Sequence, residues 1–316
     1  SVDYSIQREG EEATFALVEN KDPTKIPGVI SRGKNGLINN GIAPIIKDID
    51  NLPFPEKDKI WGIPESEKKN VDVSYICTIR GCPYKCTYCA SPFHWDRKTT
   101  RLRSPESVIE EMIHLRENYW AATKYDYSAS ANISDKESLK IEDNTIVYFV
   151  DDVFTVHKKR VKKLLRMMID QKLGMRWKCE ARADHLDDEI CELMAEAGCE
   201  RVKLGFESGS NRILKQIEKL ETREEMLVGA KMLKRAGVPF SGYFMVGFPG
   251  ETDDDVRQTI DFAKNIDADY YSLSVLAPYY GTELYNQLIK NGHALDKQPW
   301  EYFFHQSPKP MVNDKI

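Results

Sequence analysis

The stretch "YICTIRGCPYKCTYCASPF", residues 75–93, places four cysteines close together near the start of a regular strand–helix pattern. Cys77 stands apart, while Cys82, Cys86 and Cys89 follow a C-x3-C-x2-C spacing. The triplet comes directly after "VDVSYICTI", a β-branched and apolar run that predicts a strand. A disulfide pair, a zinc site and an iron–sulfur cluster are the three uses to be distinguished.

The composition indicates a globular protein with a sizeable core. The chain has 316 residues, of which 41% are hydrophobic and 30% charged, enough for one large α/β domain or two ordinary ones. The net charge of −5 argues against a broad nucleic-acid-binding surface, so we expect no nucleic acid partner. No apolar run approaches the roughly 20 residues of a membrane span, and no secretory signal opens the chain. We therefore expect no transmembrane segment and a cytoplasmic location.

Strands and helices alternate from residue 71 onward. Helical patterns separate six predicted strands, which are "VDVSYICTI", "TIVYFVDD", "MRWKCEAR", "RVKLGFES", "PFSGYFMVGF" and "YYSLSVLAP". Such alternation predicts parallel β/α units. We predict an α/β fold, a partial (β/α)6 TIM-like barrel that is open on one side. An open doubly wound sheet is the alternative, and in either architecture the site lies at the carboxyl ends of the strands.

Three segments are predicted along the chain. Residues 1–68 are interpreted as the tail of an upstream domain plus a proline-spaced linker, with two short strands around a turn at Lys34-Asn35-Gly36. Residues 69–285 form the core barrel, and residues 286–316 start a C-terminal segment. Because the first residue is Ser1, we expect a piece of a longer protein. The polar insert at 121–144 is interpreted as a solvated loop.

The chemistry of the cysteine triplet favours an iron–sulfur cluster. Structural zinc sites normally take four protein ligands, and the other cysteines, Cys179, Cys191 and Cys199, are spread over different elements. Disulfides are disfavoured in a reducing compartment. Three thiolates can hold three irons of a [4Fe–4S] cluster and leave the fourth iron open. Cys77 falls within the predicted strand, where a small buried hydrophobe is the favoured interpretation.

The triplet, with Tyr88 before its last cysteine, resembles the cluster motif of the radical S-adenosylmethionine enzymes. The resemblance implies metal ligands at Cys82, Cys86 and Cys89 and a cofactor contact at Tyr88. It also implies that the open iron chelates S-adenosylmethionine, which an electron from the cluster cleaves to methionine and a 5′-deoxyadenosyl radical. An electron donor such as flavodoxin or ferredoxin is implied as a partner.

The resemblance extends to the ends of the second and fourth strands. Asp151 and Asp152 fall where the family holds the methionyl ammonium of the cofactor, although an acid at a helix N-terminus is the structural alternative. Glu207 and Ser208, in "GFESGS", fall where the family contacts the methionyl group and the ribose. Gly205 would allow close backbone approach.

Three further cofactor contacts are implied. Arg182 is a candidate for the cofactor carboxylate, with a structural ion pair as the alternative. Lys219 falls where relatives carry a basic residue facing that carboxylate, although a lysine on a surface helix is the commoner case. Gly247 opens "GFPGET", which is similar to a turn beside the adenine, and Thr252 of that turn can also cap the next helix.

Several motifs resemble the cobalamin-associated branch of the family, which includes methylases and the anaerobic cyclase of chlorophyll synthesis. They are "DDVF", "WKCEARAD", "GFESGS", "GFPGET" and "APYYGT". Trp95, Arg101 and Arg103 are also similar to that branch, although the two arginines could equally face solvent. The D-x-H-x-x-G cobalamin signature is absent, so we expect cobalamin, if used, to come through a domain not in this chain.

The predicted protein is a radical S-adenosylmethionine enzyme that methylates, cyclises or rearranges a small organic, lipid or tetrapyrrole substrate. A cobalamin-independent methylthiotransferase or a coproporphyrinogen-oxidase-like enzyme is the alternative among enzymes. A non-catalytic electron-transfer module is the alternative from another class. The motifs assign no catalytic acid or base.

Overall fold

The computed structural model describes residues 2–56, 75–95, 99–118, 146–304 and 312. The first of these ranges contains a small antiparallel sheet and a helix. Its elements are β1 (Tyr4–Ile6), α1 (Glu11–Val18), β2 (Val29–Gly33) and β3 (Gly36–Asn39). β2 pairs with both β1 and β3. The hairpin predicted around Lys34-Asn35-Gly36 is therefore confirmed, and Gly36 supplies the positive φ of +126° at this turn.

The rest of the described chain alternates strands and helices, as predicted. The strands are β4 (Tyr75–Ile76), β5 (Ile79–Arg80), β6 (Arg101–Leu102), β7 (Ile146–Phe149), β8 (Arg176–Ala181), β9 (Cys199–Glu207), β10 (Phe240–Val246) and β11 (Tyr270–Val275). The helices are α2 (Ser91–Trp95), α3 (Pro105–Asn118), α4 (Lys158–Asp170), α5 (Asp188–Glu196), α6 (Asn211–Gln216), α7 (Arg223–Ala236), α8 (Asp253–Ile266) and α9 (Glu283–Lys290). Hydroxyl caps start several of the helices, including Thr222 at α7 and Thr252 at α8.

The strand order decides between the two predicted architectures. The central sheet has six parallel strands in the order β4-β7-β8-β9-β10-β11. Each strand lies beside the one before it in this series, whereas a doubly wound sheet reverses direction at a switch point. The fold is therefore the predicted partial barrel, and within the described residues its two end strands, β4 and β11, do not pair with each other.

The core lies between this sheet and the helices outside it. Aromatic rings fill two parts of it: Phe149, Phe154 and Trp177 pack together behind β7 and β8, with ring centroids 4.9–5.5 Å apart. Phe206 and Phe262 meet edge to face behind β9. This packing buries the outer faces of β7 to β10, so the polar residues of these strands lie mainly on the inner face and at the strand ends.

The first predicted strand is broken in two, which corrects the sequence interpretation. The chain leaves the central sheet after Ile76, and Ile79 pairs with Leu102 in a separate antiparallel ribbon. The Asp151 carboxylate holds this bend, because its Oδ1 accepts from the backbone N–H groups of Thr78 at 2.6 Å and Ile79 at 2.8 Å. A buried carboxylate thus replaces the hydrogen bonds that a continuous strand would have made.

Buried ion pairs join the N-terminal segment to the barrel. The Glu9 carboxylate accepts from Arg101 at 2.7 Å and from Arg80 at 3.0 Å. Within the barrel part of the chain, Arg103 forms a second buried ion pair, with Glu111 on α3. Arg101 and Arg103 are therefore both buried, and the solvent-facing alternative for them is wrong.

Several sequence interpretations lie outside the described residues. They are the polar insert at 121–144, the linker beyond residue 56, residues 71–74 of the first predicted strand and most of the segment after residue 304. In the part of the chain that the structure describes, none of the helices combines the length and the apolarity that crossing a bilayer requires.

Candidate active site

A cavity of about 540 Å³ opens at the carboxyl ends of the barrel strands. The cysteine loop forms one wall, and the inner faces of β8 to β11 form the others. Among its lining residues are Cys82, Tyr84, Cys86, Tyr88, Cys89, Ser91, Trp95, Asp152, Glu180, Arg182, Lys203, Gly205, Glu207, Lys219, Tyr243 and Met245. Most of the predicted site residues are thus brought together by the ends of β7, β8 and β9, by the cysteine loop and by the segment after α6.

Backbone hydrogen bonds hold the cysteine loop against the barrel. Thr87, between the second and third cysteines, donates its N–H to the Ile217 carbonyl at 3.0 Å and accepts from the Leu284 N–H at 2.8 Å. At the start of the loop Gly81 has φ +98°, and a Cβ there would lie 2.6 Å from the Thr99 carbonyl oxygen. The loop conformation therefore depends on contacts to three separate parts of the chain.

The donor set of the cavity fits an iron–sulfur cluster. The thiols of Cys82, Cys86 and Cys89 all line this one cavity, and burial raises the pKa of Cys82 to about 11 and that of Cys89 to about 12. Buried neutral thiols become thiolate ligands when a metal displaces their protons. Among the described residues no three His, Cys, Asp or Glu side chains converge as ligands of one metal ion. A cluster does not require such a set, because each thiolate binds a different iron.

Glu207 and Lys219 form a buried pair facing the cysteines. Their charged groups are 3.9 Å apart, and the Tyr88 side chain hydrogen-bonds to the Glu207 carboxylate. Glu207 has φ +64°, an uncommon conformation for a residue with a Cβ. Burial raises the pKa of Glu207, which Lys219 opposes. A Cβ at Gly205 would lie 2.5 Å from Glu207 Oε1, so glycine is needed there to leave room for this pair.

Lys219 is buried, so the alternative that it is a lysine on the surface of a helix is wrong. It follows α6, where its ammonium lies 3.4 Å from the Glu221 carboxylate as well as near Glu207. Two carboxylates around one buried ammonium keep it charged, and the pKa of Lys219 is raised by them against the opposing effect of burial. A buried cation with this setting can also bind a ligand carboxylate.

Arg182 lines the cavity, but its guanidinium is mainly engaged by the protein. It donates to Asp184 at 2.8 Å and to the Lys219 carbonyl at 2.8 Å. It also lies 3.6 Å from the centre of the Tyr84 ring in the cysteine loop. Arg182 thus forms the structural ion pair that the sequence offered as the alternative to a cofactor contact. Its stacking on Tyr84 also connects the cysteine loop to β8.

The two aspartates after β7 have different surroundings. Asp152 lines the cavity and accepts from the Ser91 hydroxyl at 2.5 Å. Asp151 is 1% exposed, and both of its oxygens are used by Thr78 and Ile79. Of the predicted pair, Asp152 is therefore the residue placed to meet a cofactor, and Asp151 has a structural role.

Ser208 and Gly247 are not placed in the cavity wall. The Ser208 hydroxyl lies 3.1 Å from Thr259 Oγ1 on α8, so it joins a helix to the sheet in place of the predicted cofactor contact. Gly247 has φ +92°, and its N–H donates to the Glu251 carboxylate at 2.6 Å. It shapes the turn that follows Met245, which does line the cavity, and its contact with the adenine stays a prediction.

Sequence reasoning missed the polar residues on the inner faces of the strands. Glu180, Lys203 and Tyr243 line the cavity and lie on three neighbouring strands. The sequence feature that indicates them is the alternation of polar and apolar residues along each strand, since each lies between two residues that are buried under the helices. A strand of a barrel interior shows polar residues with this period when the lumen holds a ligand.

The family model of the Radical SAM superfamily matches residues 76–263 of this chain. The chain belongs to the Radical SAM superfamily. This superfamily uses a [4Fe–4S] cluster and S-adenosylmethionine, and the thiol triplet fits such a cluster. The predictions of an enzyme of this superfamily, of its two cofactors and of its fold are thereby confirmed.

The similarity of this chain to known proteins covers most of its length. It is 30% identical over 298 residues to an uncharacterized methyltransferase of Pyrococcus horikoshii, covering 93% of this chain and 60% of that protein. It is 23% identical over 316 residues to the anaerobic magnesium-protoporphyrin IX monomethyl ester cyclase of Rubrivivax gelatinosus, covering 95% and 52%. The solved radical S-adenosylmethionine methyltransferase TsrM of Kitasatospora setae, with cobalamin and a [4Fe–4S] cluster bound, has the same fold, with a TM-score of 0.68, 20% identity, and coverage of 92% and 54%. The chain thus spans about half the length of these relatives.

Proposed function

We propose that this chain is the catalytic core of a cobalamin-dependent radical S-adenosylmethionine methyltransferase. The observation that carries the proposal is the joint placement of the thiol triplet and the Glu207–Lys219 pair in one cavity. The choice of methyl transfer is supported by the similarity to a methyltransferase over 93% of the chain. In this proposal cobalamin is supplied through a separate domain.

The residues around the cavity have distinct roles in this proposal. A bound cluster would be held by Cys82, Cys86 and Cys89 and would supply the electron that cleaves S-adenosylmethionine. Glu207 presents a carboxylate to the ammonium of the methionyl group, and Lys219 presents an ammonium to its carboxylate. The buried walls exclude water, which strengthens both contacts.

A radical cyclase is the second candidate. The similarity to the magnesium-protoporphyrin ester cyclase covers 95% of this chain, although at lower identity. Both candidates use the same cavity and the same cofactor contacts, so they differ in the substrate and in whether a methyl group is transferred. A small organic, lipid or tetrapyrrole molecule is the proposed substrate class.

The test starts with anaerobic reconstitution of the chain with iron and sulfide. After dithionite and S-adenosylmethionine are added, iron content and 5′-deoxyadenosine are measured. We expect Cys82→Ala to lose iron and product, while Cys191→Ala, a matched change of a buried cysteine on α5, keeps both. Zinc bound in place of iron, or equal loss in both variants, would contradict the assignment of the cluster.

A second measurement separates the two candidates. Reduced cobalamin is added with S-adenosylmethionine, and S-adenosylhomocysteine is measured. Its formation above the protein-free control supports the methyltransferase. Formation of 5′-deoxyadenosine with no S-adenosylhomocysteine favours the cyclase.

A further inference from the structure

A polar group lies in the barrel lumen on the strands next to the proposed cofactor site. We name Tyr148, Glu180, Lys203 and Tyr243 the lumen set. Lys203 Nζ donates to the Tyr148 hydroxyl at 2.8 Å, and Tyr148 donates in turn to Glu180. Lys203 Nζ is 3.9 Å from Glu180 Oε1, beyond a hydrogen bond. The Glu180 carboxylate is therefore hydrogen-bonded to Tyr148 and not to Lys203.

The Lys203 ammonium keeps capacity for a ligand. An ammonium has three N–H groups, and among the described residues Lys203 donates one hydrogen bond, to Tyr148. Lys203 and Glu180 line the cavity wall, and the Lys203 side chain is 25% exposed. The remaining N–H groups can therefore reach a molecule held in the cavity.

Two further cations, Lys178 and Arg201, lie near Lys203. Lys178 lies 5.1 Å from the centre of the Tyr148 ring, and Arg201 lies 3.7 Å from that of Tyr270. The buried Nε of Arg201 has no hydrogen-bond partner among the described residues. Lys178, Arg201 and Lys203 thus lie on β8 and β9 near the Glu180 carboxylate, and Asp152 and Glu207 line the same cavity. Burial, together with Lys178 and Arg201, lowers the pKa of Lys203 against the effect of Glu180, and a bound anion would relieve this repulsion.

The distance along β9 leaves room for a substrate. Lys203 precedes Glu207 by four positions in the same strand, which is roughly 13 Å at the usual rise per residue. The cofactor contacts proposed above lie at the Glu207 end. A molecule anchored at Lys203 would therefore extend toward that end without occupying it.

We propose that the lumen set binds a carboxylate group of the substrate and that Lys203 determines this specificity. This inference rests on the proposed function, because it names the class of substrate for that cavity. A monoanionic carboxylate fits better than a doubly charged phosphate, since the Glu180 carboxylate lies beside the same ammonium. The Tyr243 hydroxyl on β10 is a second polar group on this wall of the cavity.

The test measures ligand binding and needs no turnover. The probes are 4-fluorophenylacetate and its neutral isostere 4-fluorophenylacetamide, titrated with the cluster-loaded protein and followed by fluorine NMR. We expect the acid to bind roughly tenfold or more tightly than the amide, from a charge-assisted contact. Lys203→Met should abolish this preference, Lys203→Arg should keep it, and the exposed Lys215→Met on α6 should not change it.

The outcomes separate this inference from the proposed function. Equal binding of acid and amide to the unaltered protein overturns the inference, and so does a preference that survives in Lys203→Met. Comparable thermal unfolding of the lysine variants shows that the effect is not a loss of fold. If the acid preference depends on Lys203 but no S-adenosylmethionine is cleaved, the carboxylate site stands and the proposed reaction fails.

Discussion

Replacing Gly205 by alanine should separate cofactor binding from stability. The added Cβ would lie 2.5 Å from Glu207 Oε1, whereas ordinary contacts begin at 3.4 Å. The carboxylate must therefore move by roughly 1 Å. It is the end of a flexible side chain, so the backbone of β9 can stay in place, but the contacts with Lys219 and Tyr88 are altered.

The two expected effects have different sizes. A displaced carboxylate weakens its charge-assisted contact with the cofactor, which corresponds to roughly a ten- to hundredfold loss of S-adenosylmethionine affinity. The free energy of unfolding should change by only about 1 kcal/mol, as is usual when a side-chain end can yield. Affinity is measured by equilibrium dialysis of the cluster-loaded protein, and stability by urea unfolding.

Gly10→Ala is the matched control for this experiment. A Cβ at Gly10 would meet Thr14 Oγ1 at 3.7 Å and Ile6 Cδ1 at 3.8 Å, which are ordinary contacts. Unchanged affinity in Gly205→Ala would refute the assignment of Glu207 to the cofactor. A loss of several kcal/mol in stability would instead show that the backbone yields and that the side-chain reasoning is wrong.

Two further predictions concern buried carboxylates. Asp151→Asn should keep the fold, because one amide oxygen can accept both backbone N–H groups that Oδ1 now accepts. Burial raises the pKa of Asp151 from 3.8 to about 6, so the contribution of its protonated form to stability is largest below pH 3.8 and is lost as the pH rises through about 6. The free energy of unfolding of Asp151→Asn, relative to that of the wild type, should therefore rise by roughly 2–3 kcal/mol between pH 4 and pH 8 in urea unfolding. A difference that does not change with pH would contradict the raised pKa. Glu9→Gln leaves the buried Arg101 without its carboxylate and should cost roughly 3 kcal/mol, with earlier proteolysis of residues 2–56; an unchanged protease pattern would show that this ion pair does not hold the segment.

The sequence by itself determined the succession of elements and predicted the thiol triplet as the cluster site. Both are local properties: a strand or helix follows from residue period and caps, as at Thr222 and Thr252, and the three cysteines lie within one short loop. Glu207 was also found from its "GFESGS" motif, because it lies at the end of a predicted strand.

The tertiary structure decided what depends on contacts between distant residues. Both Asp151 and Asp152 end the same strand, and only the packing of residues 78 and 79 against it turned one carboxylate inward. Lys219 is followed in sequence by an exposed leucine, yet two carboxylates from other positions surround it. The lumen set unites residues of four strands, β7 to β10, that are far apart in the chain. The order of these strands depends on how whole helices are buried against the sheet, which no local sequence pattern records.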